Sequence, residues 1–303
     1  MSGAVVNSAL DSILVVGRTG QVAQELQRAS WPRALSPEFL GRQDLDLACP
    51  SVVRREVRNR RPAIVINAAA YTAVDAAEHE RETAYAVNRD GPGALAEACA
   101  EIGATLIHLS TDYVFDGAKL EPYDEDDIVN PLSVYGKSKA AGETLIRARL
   151  GSHVILRTAW VYAPFGRNFV RTMLRLGVEH EQISVVDDQR GSPTAAAEIA
   201  RALVVMSEAL QSGKTRFGTY HFCGAGDTTW HGFAHSIFAG ARQRGTKTPR
   251  TLTPISSEEY SSPARRPHNS VLSSTRIARD YGIAARPWQD SLAACLDELC
   301  RDR

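Results

Sequence analysis

Residues 13–23 read ILVVGRTGQVA, a run of apolar residues followed directly by two glycines three positions apart. An apolar run of this length before a turn predicts a buried strand, and the residues after Gly20 have the spacing of a helix. Glycine lets the backbone approach a pyrophosphate, whose charge is then met by N–H groups at the helix start. Ala23 completes a GxxGxxA spacing, in which a small residue permits close helix–strand packing. The segment therefore predicts the phosphate loop of a dinucleotide-binding fold, with a simple βα turn as the alternative.

Similar apolar runs recur through the first half of the chain and alternate with helical patterns. The predicted strands are Ile13–Val16, Ala63–Asn67, Ala104–Ser110 and Val154–Thr158. The predicted helices are Gly20–Ser30, Ser51–Asn59, Glu80–Ile102 and Val134–Ala148. This order is typical of the α/β class, and it predicts a Rossmann-like, doubly wound parallel sheet with right-handed crossovers.

The pattern becomes less regular after about residue 163. The later predicted elements are helices at Asn168–Leu176, Thr194–Ala209 and Trp230–Arg242, strands at Ile183–Val186 and Thr219–Phe222, and mostly loop over Pro254–Asn269. We expect an NAD(P)-binding domain over residues 10–165, with returning segments at about 183–222. A smaller, interleaved substrate-binding lobe is expected over residues 166–303.

Composition excludes several classes of protein. The 303 residues contain 35 basic and 35 acidic side chains and no basic block, so we expect no nucleic-acid partner. The first twelve residues lack the features of a signal peptide and no apolar run is long enough to span a bilayer, so we expect no membrane partner and a cytoplasmic location. The cysteines are odd in number and never spaced as CxxC, which favours free thiols: Cys49, Cys99, Cys223, Cys295 and Cys300.

A second group of residues indicates ketone reduction. Thr111 ends a predicted strand, and Tyr135 and Lys139 lie four residues apart on one face of a predicted helix. Reduction of a ketone needs a hydride and a proton, and a phenol with a pKa of about 10 is poorly matched to neutral pH. Lys139 would stabilise the phenolate and hold the nicotinamide ribose, while Thr111 would hydrogen-bond the carbonyl. A YxxxK spacing alone is typical of a surface helix, but its combination with the glycine loop favours catalysis.

The cofactor preference is read from the stretch that follows the phosphate loop by about twenty residues. NAD-preferring folds place an acidic residue there to hold the ribose 2′-hydroxyl. This chain has Gly41 and Arg42 instead, and an arginine can accommodate the additional phosphate of NADP. We therefore expect NADPH, with NADH as the alternative and a solvated loop arginine as the simpler explanation of Arg42.

More specific runs extend along the chain. They are 67-NAAAYTAVD-75, 110-STDYVFDG-117, 130-NPLSVYGKSK-139, 157-RTAWVY-162, 187-DDQRGSPT-194 and 264-ARRPHNS-270. With them the chain resembles the dTDP-4-dehydrorhamnose reductases of the extended short-chain dehydrogenase/reductase superfamily, from Ile13 to the C-terminus. The resemblance implies that NAD(P)H reduces the 4-keto group of dTDP-6-deoxy-L-lyxo-4-hexulose to give dTDP-L-rhamnose. Tyr135 would donate the proton.

The resemblance, together with the motifs above, supplies three groups of candidate residues. The catalytic residues are Thr111, Tyr135 and Lys139. The cofactor-binding residues are Gly17, Thr19, Gly20, Gln21, Val22, Arg42, Asp46, Leu47, Ala69, Ala70, Tyr71, Thr72, Asn88, Tyr135 and Lys139. The substrate-binding residues are Thr111, Asp112, Tyr135, Trp160, Val74, Asn168, Arg266 and Asn269. Arg266 and the adjacent Arg265 also suit a diphosphate through their guanidinium geometry, with a solvated basic turn as the alternative.

Some bacterial members of this family bind magnesium between subunits through three glutamates. Glu25 and Glu298 fall at two matching positions, whereas the third falls at Ala197, next to Glu198. The resemblance therefore leaves a Mg²⁺ ion and a homodimer open, and solvated helix faces are the alternative explanation of these carboxylates.

Two other functions remain open from the sequence. One is a related ketoreductase or epimerase acting on another nucleotide sugar, because substrate choice resides in the less regular C-terminal part. The other is a non-catalytic subunit on the same fold, as in the regulatory subunit of methionine adenosyltransferase, because a fold does not imply a function.

Overall fold

The computed structural model describes residues 12–301. Residues 10 and 11 of the expected NAD(P)-binding domain, residues 302 and 303 of the expected lobe, and most of the N-terminal stretch considered as a signal peptide lie outside the described residues. The strands are β1 (Ser12–Val16), β2 (Ser36–Leu40), β3 (Ile64–Asn67), β4 (Thr105–Thr111), β5 (His153–Thr158), β6 (Val161–Tyr162), β7 (Gln182–Val186), β8 (Arg190–Gly191), β9 (Thr194–Ala195), β10 (Gly218–His221), β11 (Thr228–Thr229) and β12 (Thr251–Ile255). The helices are α1 (Gln21–Arg28), α2 (Pro50–Arg60), α3 (Val74–Ala77), α4 (Arg81–Tyr85), α5 (Gly91–Ile102), α6 (Val134–Arg149), α7 (Phe169–Glu179), α8 (Ala196–Gln211), α9 (Trp230–Gln243), α10 (Ser257–Tyr260), α11 (Thr275–Tyr281) and α12 (Trp288–Arg301).

A six-stranded sheet forms the centre of the fold, in the order β10-β5-β4-β3-β1-β2. All neighbouring strands in it run parallel. The chain starts in β1, moves outward to β2 and then crosses to β3 on the other side, which is the doubly wound arrangement. The predicted fold class is confirmed. The edge strand β2 was not predicted, because it contains Pro37 and has no continuous apolar run.

Helices cover both faces of the sheet, which explains why its central strands β1 and β3 are apolar along most of their length. Along β1, Ile13 and Val15 pack into one apolar cluster, whereas Leu14 and Val16 pack into a second on the opposite face. The first cluster includes residues of α1, α8 and α11, and the second includes residues of α2, α5 and α6. The carboxyl ends of the strands therefore remain the open edge at which a ligand can bind.

The predicted helix Glu80–Ile102 is interrupted, which corrects that prediction. A π-helical turn at Ala86–Asp90 separates α4 from α5. Pro92 has no N–H, so it cannot donate to the carbonyl of Asn88 four residues earlier, and the regular ladder is broken there. Turns of this kind occur frequently at functional sites, and this one contains Asn88, a predicted cofactor-binding residue.

The C-terminal part has an apolar cluster of its own, formed by residues of α7, α9, α12 and β7. Within the segment 183–222, β10 joins the central sheet beside β5, whereas β7 pairs with β12. The stretch predicted as mostly loop, Pro254–Asn269, is mostly irregular, and its first part also contains the end of β12 and the short helix α10. No helix within residues 12–301 is both long and apolar enough to cross a membrane.

Candidate active site

The predicted phosphate loop connects β1 to α1. Gly17 has φ of +120°, and a Cβ there would lie 3.3 Å from the carbonyl carbon of Ala68, so a side chain would be both strained and crowded. Its N–H donates to the carbonyl of Leu40 at 2.9 Å, which ties the loop to β2. Gly20 is the N-cap of α1, and no side chain caps this helix. The first N–H groups of α1 are therefore free of a capping side chain, as a bound phosphate requires.

The segment after β3 lies next to this loop and contains Ala69, Ala70, Tyr71 and Thr72. Asn88 holds its backbone through two hydrogen bonds, from Tyr71 N to Oδ1 at 2.9 Å and from Nδ2 to Tyr71 O at 3.0 Å. Nδ2 also donates to Ser138 Oγ on α6 at 3.0 Å. The predicted cofactor residues of this segment are thus joined to the helix that carries Tyr135.

The predicted catalytic residues meet at the carboxyl end of β4. Thr111 is its last residue, and Tyr135 and Lys139 lie on the first two turns of α6. The exposed fractions of Thr111, Tyr135 and Lys139 are 6%, 9% and 2%. The hydroxyl of Thr111 lies close enough to that of Tyr135 to affect its pKa. The structure therefore brings together the three side chains that the sequence assigned to catalysis.

The start of α6 is fixed by local contacts. Ser133 is the N-cap, and its Oγ accepts from Gly136 N at 3.1 Å. A carboxylate oxygen of Glu78 accepts from Val134 N at 2.8 Å. A Cβ on Gly136 would lie 2.2 Å from the carbonyl oxygen of Tyr113, so only glycine permits this approach of α6 to the end of β4.

Burial controls the protonation of the two groups on α6. It raises the pKa of Tyr135, and the nearby Thr111 hydroxyl acts in the opposite direction. Burial lowers the pKa of Lys139 to about 8, although the carboxylate of Glu143 acts in the opposite direction. Lys139 Nζ donates to the carbonyl of Leu109 at 2.7 Å and lies 3.1 Å from Nε2 of His108. A phenol and an amine that gains and loses a proton near neutral pH therefore share one buried pocket.

A buried ion pair lies behind this pocket, and the sequence analysis did not identify it. Arg157 donates to both oxygens of Glu143, at 2.9 and 2.7 Å, and the exposed fractions of the two side chains are 1% and 0%. Ser110 Oγ donates to the same carboxylate at 2.6 Å. Burial opposes ionisation, but Arg157 and the other donors lower the pKa of Glu143 to about 2. Glu143 follows Lys139 by four residues, and this spacing is the signal that could have revealed it.

Polar atoms without partners point to a ligand beside the catalytic residues. Asp112 is 2% exposed; its Oδ1 accepts from Thr111 Oγ1 at 2.9 Å, whereas Oδ2 has no partner within residues 12–301. Burial raises the pKa of Asp112 to about 6. Thr158 Oγ1, on the neighbouring strand, is also buried without a partner in the described part of the chain. Orphaned buried groups are costly, so a bound polar ligand is the simplest explanation of both.

Trp160 has φ of +47°, an uncommon backbone conformation for a large residue. Its ring stacks on Trp230, with centroids 3.5 Å apart and an angle of 7° between the ring planes. A Cβ on Gly191 would lie 2.4 Å from the Trp160 ring, which accounts for the glycine in the run 187–194. Trp160 was predicted as a site residue. Trp230 was not, because it is 70 residues away in the chain and no sequence motif marks it as part of the site.

Arg266 is held against the NAD(P)-binding part of the chain. Its Nη2 donates to Asp75 Oδ2 at 2.8 Å, and Nη1 donates to Ser262 Oγ. Burial opposes the charge on Arg266, but the nearby Tyr113, the residue after Asp112, and Asp75 raise the pKa of its guanidinium. Arg265, by contrast, is exposed. The predicted diphosphate ligand Arg266 thus lies near the catalytic residues, but it is already paired with a carboxylate.

Other predicted substrate residues occupy different positions. Val74 starts α3 and packs against the small cluster that contains Tyr135. Asn168 is the N-cap of α7 and donates to Gln21 Oε1 at 2.9 Å. Asn269 donates to the carbonyl of Lys119 at 2.8 Å and accepts from Val271 N at 3.2 Å. The amides of Asn168 and Asn269 therefore stabilise neighbouring backbone or side chains.

Two arginines lie at the carboxyl end of β2. Arg42 is exposed, and its Nε lies 3.2 Å from Asp46 Oδ2. Leu47, the residue after Asp46, is buried. Arg18, within the phosphate loop, packs beside Gly41: a Cβ on that glycine would lie 3.6 Å from Arg18 Cβ. The sequence analysis selected Arg42 and missed Arg18, which occupies a variable position of the GxxG pattern.

The glutamates considered for magnesium do not fit a cation within one chain. Arg28 lies 3.5 Å from Glu25 and 2.7 Å from Glu298, so a guanidinium already neutralises both carboxylates. Glu198 faces Arg201 at 2.8 Å and Arg286 at 3.6 Å. No group of three metal-binding side chains occurs within residues 12–301. All five cysteines lie in this part of the chain and none forms a disulfide.

Taken with the fold, the Tyr135–Lys139 pair beside the glycine loop defines the class as a nucleotide-binding reductase of the short-chain dehydrogenase type. The family described as RmlD substrate binding domain matches residues 11–301. A dTDP-4-dehydrorhamnose reductase from Sinorhizobium fredii is 43% identical over 92% of this chain and 94% of its own length. The enzyme of that name from Escherichia coli K12 is 40% identical over 95% of this chain and 98% of its own.

Solved structures agree with these relatives. The crystal structure of a dTDP-4-dehydrorhamnose reductase from Clostridium acetobutylicum has a TM-score of 0.88 and 38% identity, covering 95% of this chain and 99% of that one. The enzyme from Bacillus anthracis, solved in complex with NADP, has a TM-score of 0.86 and 38% identity over the same shares. The chain therefore belongs to the dTDP-4-dehydrorhamnose reductase family, which confirms the resemblance seen in the sequence.

Proposed function

We propose that this protein reduces the 4-keto group of dTDP-6-deoxy-L-lyxo-4-hexulose and releases dTDP-L-rhamnose. The observation that carries the proposal is the meeting of three buried side chains, Thr111, Tyr135 and Lys139, where the end of β4 packs against the start of α6. Family membership supports the substrate, because the relatives are named for this reaction.

In the mechanism, bound NAD(P)H supplies the hydride that reaches C4 of the sugar. The Thr111 hydroxyl holds the carbonyl oxygen, and the Tyr135 hydroxyl gives its proton to that oxygen as negative charge develops there. Lys139, in its ammonium form, stabilises the Tyr135 phenolate that remains. The burial of all three side chains excludes water, so these interactions are stronger than they would be in solvent.

The nucleotide of the cofactor would lie over Gly17, Thr19, Gly20, Gln21 and Val22, with its pyrophosphate at the start of α1. The free N–H groups of this helix support that position. The other proposed contacts are Asp46, Leu47, Ala69, Ala70, Tyr71, Thr72, Asn88, Tyr135 and Lys139. We infer a preference for NADPH, because Arg18 and Arg42 flank the carboxyl end of β2 and the Bacillus anthracis relative was solved with NADP.

The sugar nucleotide would lie on the other side of the catalytic residues. The free Oδ2 of Asp112 and Oγ1 of Thr158 suit sugar hydroxyls, and Trp160 offers an aromatic face. Arg266 suits the diphosphate, which would then share this guanidinium with Asp75. Val74 would contribute an apolar contact, whereas Asn168 and Asn269 would support the site through the backbone segments that they stabilise.

Three further statements complete the proposal. We infer an NAD(P)-binding part over residues 10–165, with β10 returning to it, and a substrate-binding lobe over residues 166–303. The resemblance also favours a homodimer, without a magnesium ion bound by Glu25 and Glu298, because Arg28 occupies the space between them. The free thiols favour the cytoplasm. Sedimentation equilibrium with and without a chelator measures the oligomeric state and its dependence on metal.

The decisive experiment follows oxidation of NADPH and NADH by the purified protein. The substrate is generated from dTDP-4-keto-6-deoxyglucose by a 3,5-epimerase. Turnover that requires the epimerase supports the proposal, and equal turnover without it indicates a reductase or epimerase acting on another keto sugar. Cofactor binding with no turnover on dTDP, UDP or GDP keto sugars indicates a non-catalytic subunit.

Substitution of Tyr135 tests the chemical step. Tyr135→Phe removes the proton donor and is expected to lower kcat by about 10²-fold or more. Tyr281→Phe is the matched control, because it also removes one tyrosine hydroxyl but lies on α11, where that hydroxyl bonds the carbonyl of Arg216. Full activity of Tyr135→Phe would exclude Tyr135 as the donor.

A further inference from the structure

His108 lies beneath Lys139 and has no role in the chemistry described so far. It is on β4 and is fully buried, with Nε2 3.1 Å from Lys139 Nζ. Its other ring nitrogen, Nδ1, lies 3.0 Å from Nδ2 of Asn67 at the end of β3. Lys139 is therefore the last member of a buried chain of three polar side chains that spans two neighbouring strands.

The orientation of the Asn67 amide determines which group donates and which accepts at each hydrogen bond of this side-chain series. The N–H of Ala69 donates to Asn67 Oδ1 at 3.2 Å, so the oxygen is on the side of Ala69. Nδ2 consequently faces His108 and donates to Nδ1. The opposite orientation would place the Nδ2 hydrogens against the N–H of Ala69, and Asn67 is fully buried, so water could not replace the lost bond.

The proton on His108 follows from this orientation. A neutral imidazole has one donor and one acceptor nitrogen. Because Nδ1 accepts from Asn67, the proton must be on Nε2, and Nε2–H donates to Lys139 Nζ. An ammonium has no lone pair with which to accept, so this arrangement requires the neutral amine of Lys139. The amine still has the hydrogens needed for its bond to the carbonyl of Leu109.

We propose that His108, oriented by Asn67, is a positioning residue that stabilises the neutral amine of Lys139 relative to its ammonium form and thereby sets the pH above which reduction fails. The inference rests on the proposed function, in which the ammonium form of Lys139 supports proton donation by Tyr135. The protons balance in each turnover. Tyr135 O–H breaks as the substrate O–H forms; a Lys139 N–H then breaks as Tyr135 O–H re-forms. The amine accepts from His108 until it takes a proton from water.

The charges around Lys139 are consistent with a low proton affinity. On its own helix the anion that faces it is Glu143, but Arg157 of β5 and Arg147 of α6 already pair with that carboxylate. From β4, His108 faces it as a neutral group, because burial and the nearby Lys139 lower the pKa of the imidazole well below its usual range. Asp112, beyond the end of β4, acts on Tyr135.

The first test observes the proton on His108 directly and needs no turnover. Long-range ¹H–¹⁵N spectra of protein labelled with ¹⁵N-histidine distinguish the two ring nitrogens, and the spectrum of His108→Gln identifies the His108 signals among the eight histidines. We expect the Nε2–H form of His108 in the unliganded wild type at about pH 9, above the pKa of about 8 at which Lys139 becomes a neutral amine. A proton on Nδ1 would overturn the proposal.

The second test reverses the donor and acceptor roles along the hydrogen-bond chain from Asn67 through His108 to Lys139. Asn67→Asp can only accept, so Nδ1 of His108 becomes the donor and Nε2 becomes an acceptor for the Lys139 ammonium. The alkaline limb of the pH profile of kcat should then move upward by about one pH unit or more. Asn59→Asp adds the same charge at an exposed position of α2 and should leave that limb in place.

These experiments separate the possible failures. If the Asn67→Asp variant folds but the alkaline limb of its kcat profile does not move, the hydrogen-bond chain Asn67–His108–Lys139 does not control the pH dependence of reduction. If that variant does not fold, the histidine spectra of the wild type decide the question alone. Failure of the proposed reductase function would appear differently, as absence of turnover by the wild type with every keto sugar.

Discussion

Asn88 holds the backbone of Tyr71 from both sides, because its Oδ1 accepts from Tyr71 N and its Nδ2 donates to Tyr71 O, at 2.9 and 3.0 Å. The same Nδ2 reaches Ser138 on α6, whose Oγ donates to the carbonyl of Tyr135 at 2.7 Å. One buried amide therefore joins the predicted cofactor segment to the predicted proton donor. The π-helical turn places Asn88 at this junction.

Substitution of Asn88 should therefore affect cofactor binding and catalysis together. Asn88→Leu keeps the number and branching of the side-chain heavy atoms but leaves the N–H and carbonyl of Tyr71 without partners, which costs about 1–3 kcal/mol for each buried group. We expect weaker NADPH binding and a lower kcat, measured by fluorescence titration and steady-state kinetics. Asn59→Leu on the exposed face of α2 is the control. Unchanged kinetics for Asn88→Leu would show that the segment is positioned by other contacts.

The buried pair of Glu143 and Arg157 should give a stability that depends on pH. The pKa of Glu143 is lowered to about 2 in the folded protein, below its ordinary value, so its contribution is present above about pH 4.5 and is lost as pH falls towards 2. Glu143→Gln leaves Arg157 without a counter-charge and should cost about 3–5 kcal/mol at pH 7. The difference in Tm between wild type and variant should shrink as pH falls from 6 to 3. A constant difference would contradict this origin of the stability.

The features that the sequence predicted have local causes. The strand Ile13–Val16 and the glycine loop after it are visible because burial on both faces requires continuous apolar residues and the tight turn requires glycine. The edge strands β2 and β12 were missed because they lie at the margin of a sheet and carry a proline and polar residues. The π-helical turn was missed because helical periodicity continues across it.

The active site likewise contains residues that a local motif predicts and residues that no local pattern predicts. A sequence motif predicts Thr111, Tyr135 and Lys139, whereas the residues that contact them and shift their pKa values come from distant parts of the chain. Asp75 and Arg266 are 191 residues apart, and no local sequence pattern predicts their ion pair. His108 lies in the middle of β4 between apolar neighbours, and its significance appears only when Asn67 and Lys139 are seen beside it.

The two arginines beside β2 should control the choice of cofactor. Arg42→Ala and Arg18→Ala each remove a cation that can bind the 2′-phosphate of NADPH, while NADH has an uncharged hydroxyl at that position. We expect each variant to lower kcat/KM for NADPH by about tenfold, with little change for NADH, since one charge-assisted hydrogen bond contributes about 1.5–3 kcal/mol. Steady-state kinetics with both cofactors measure the ratio. Arg33→Ala serves as a control for the loss of an arginine elsewhere on the surface. Equal losses with both cofactors would assign the arginines a structural role.

The close approach of α6 to the end of β4 should make Gly136 indispensable for the geometry of the catalytic residues. In Gly136→Ala the added Cβ would lie 2.2 Å from the carbonyl oxygen of Tyr113, so the first turn of α6 must move and carry Tyr135 with it. A misplacement of about 1 Å can cost on the order of 10²-fold in rate, so we expect kcat to fall by that order while the fold is retained. Gly151→Ala is the matched control, because nothing lies within 4 Å of a Cβ there. Near-normal kcat for Gly136→Ala, with its far-UV spectrum unchanged, would mean that α6 can shift without displacing the hydroxyl of Tyr135 from Thr111.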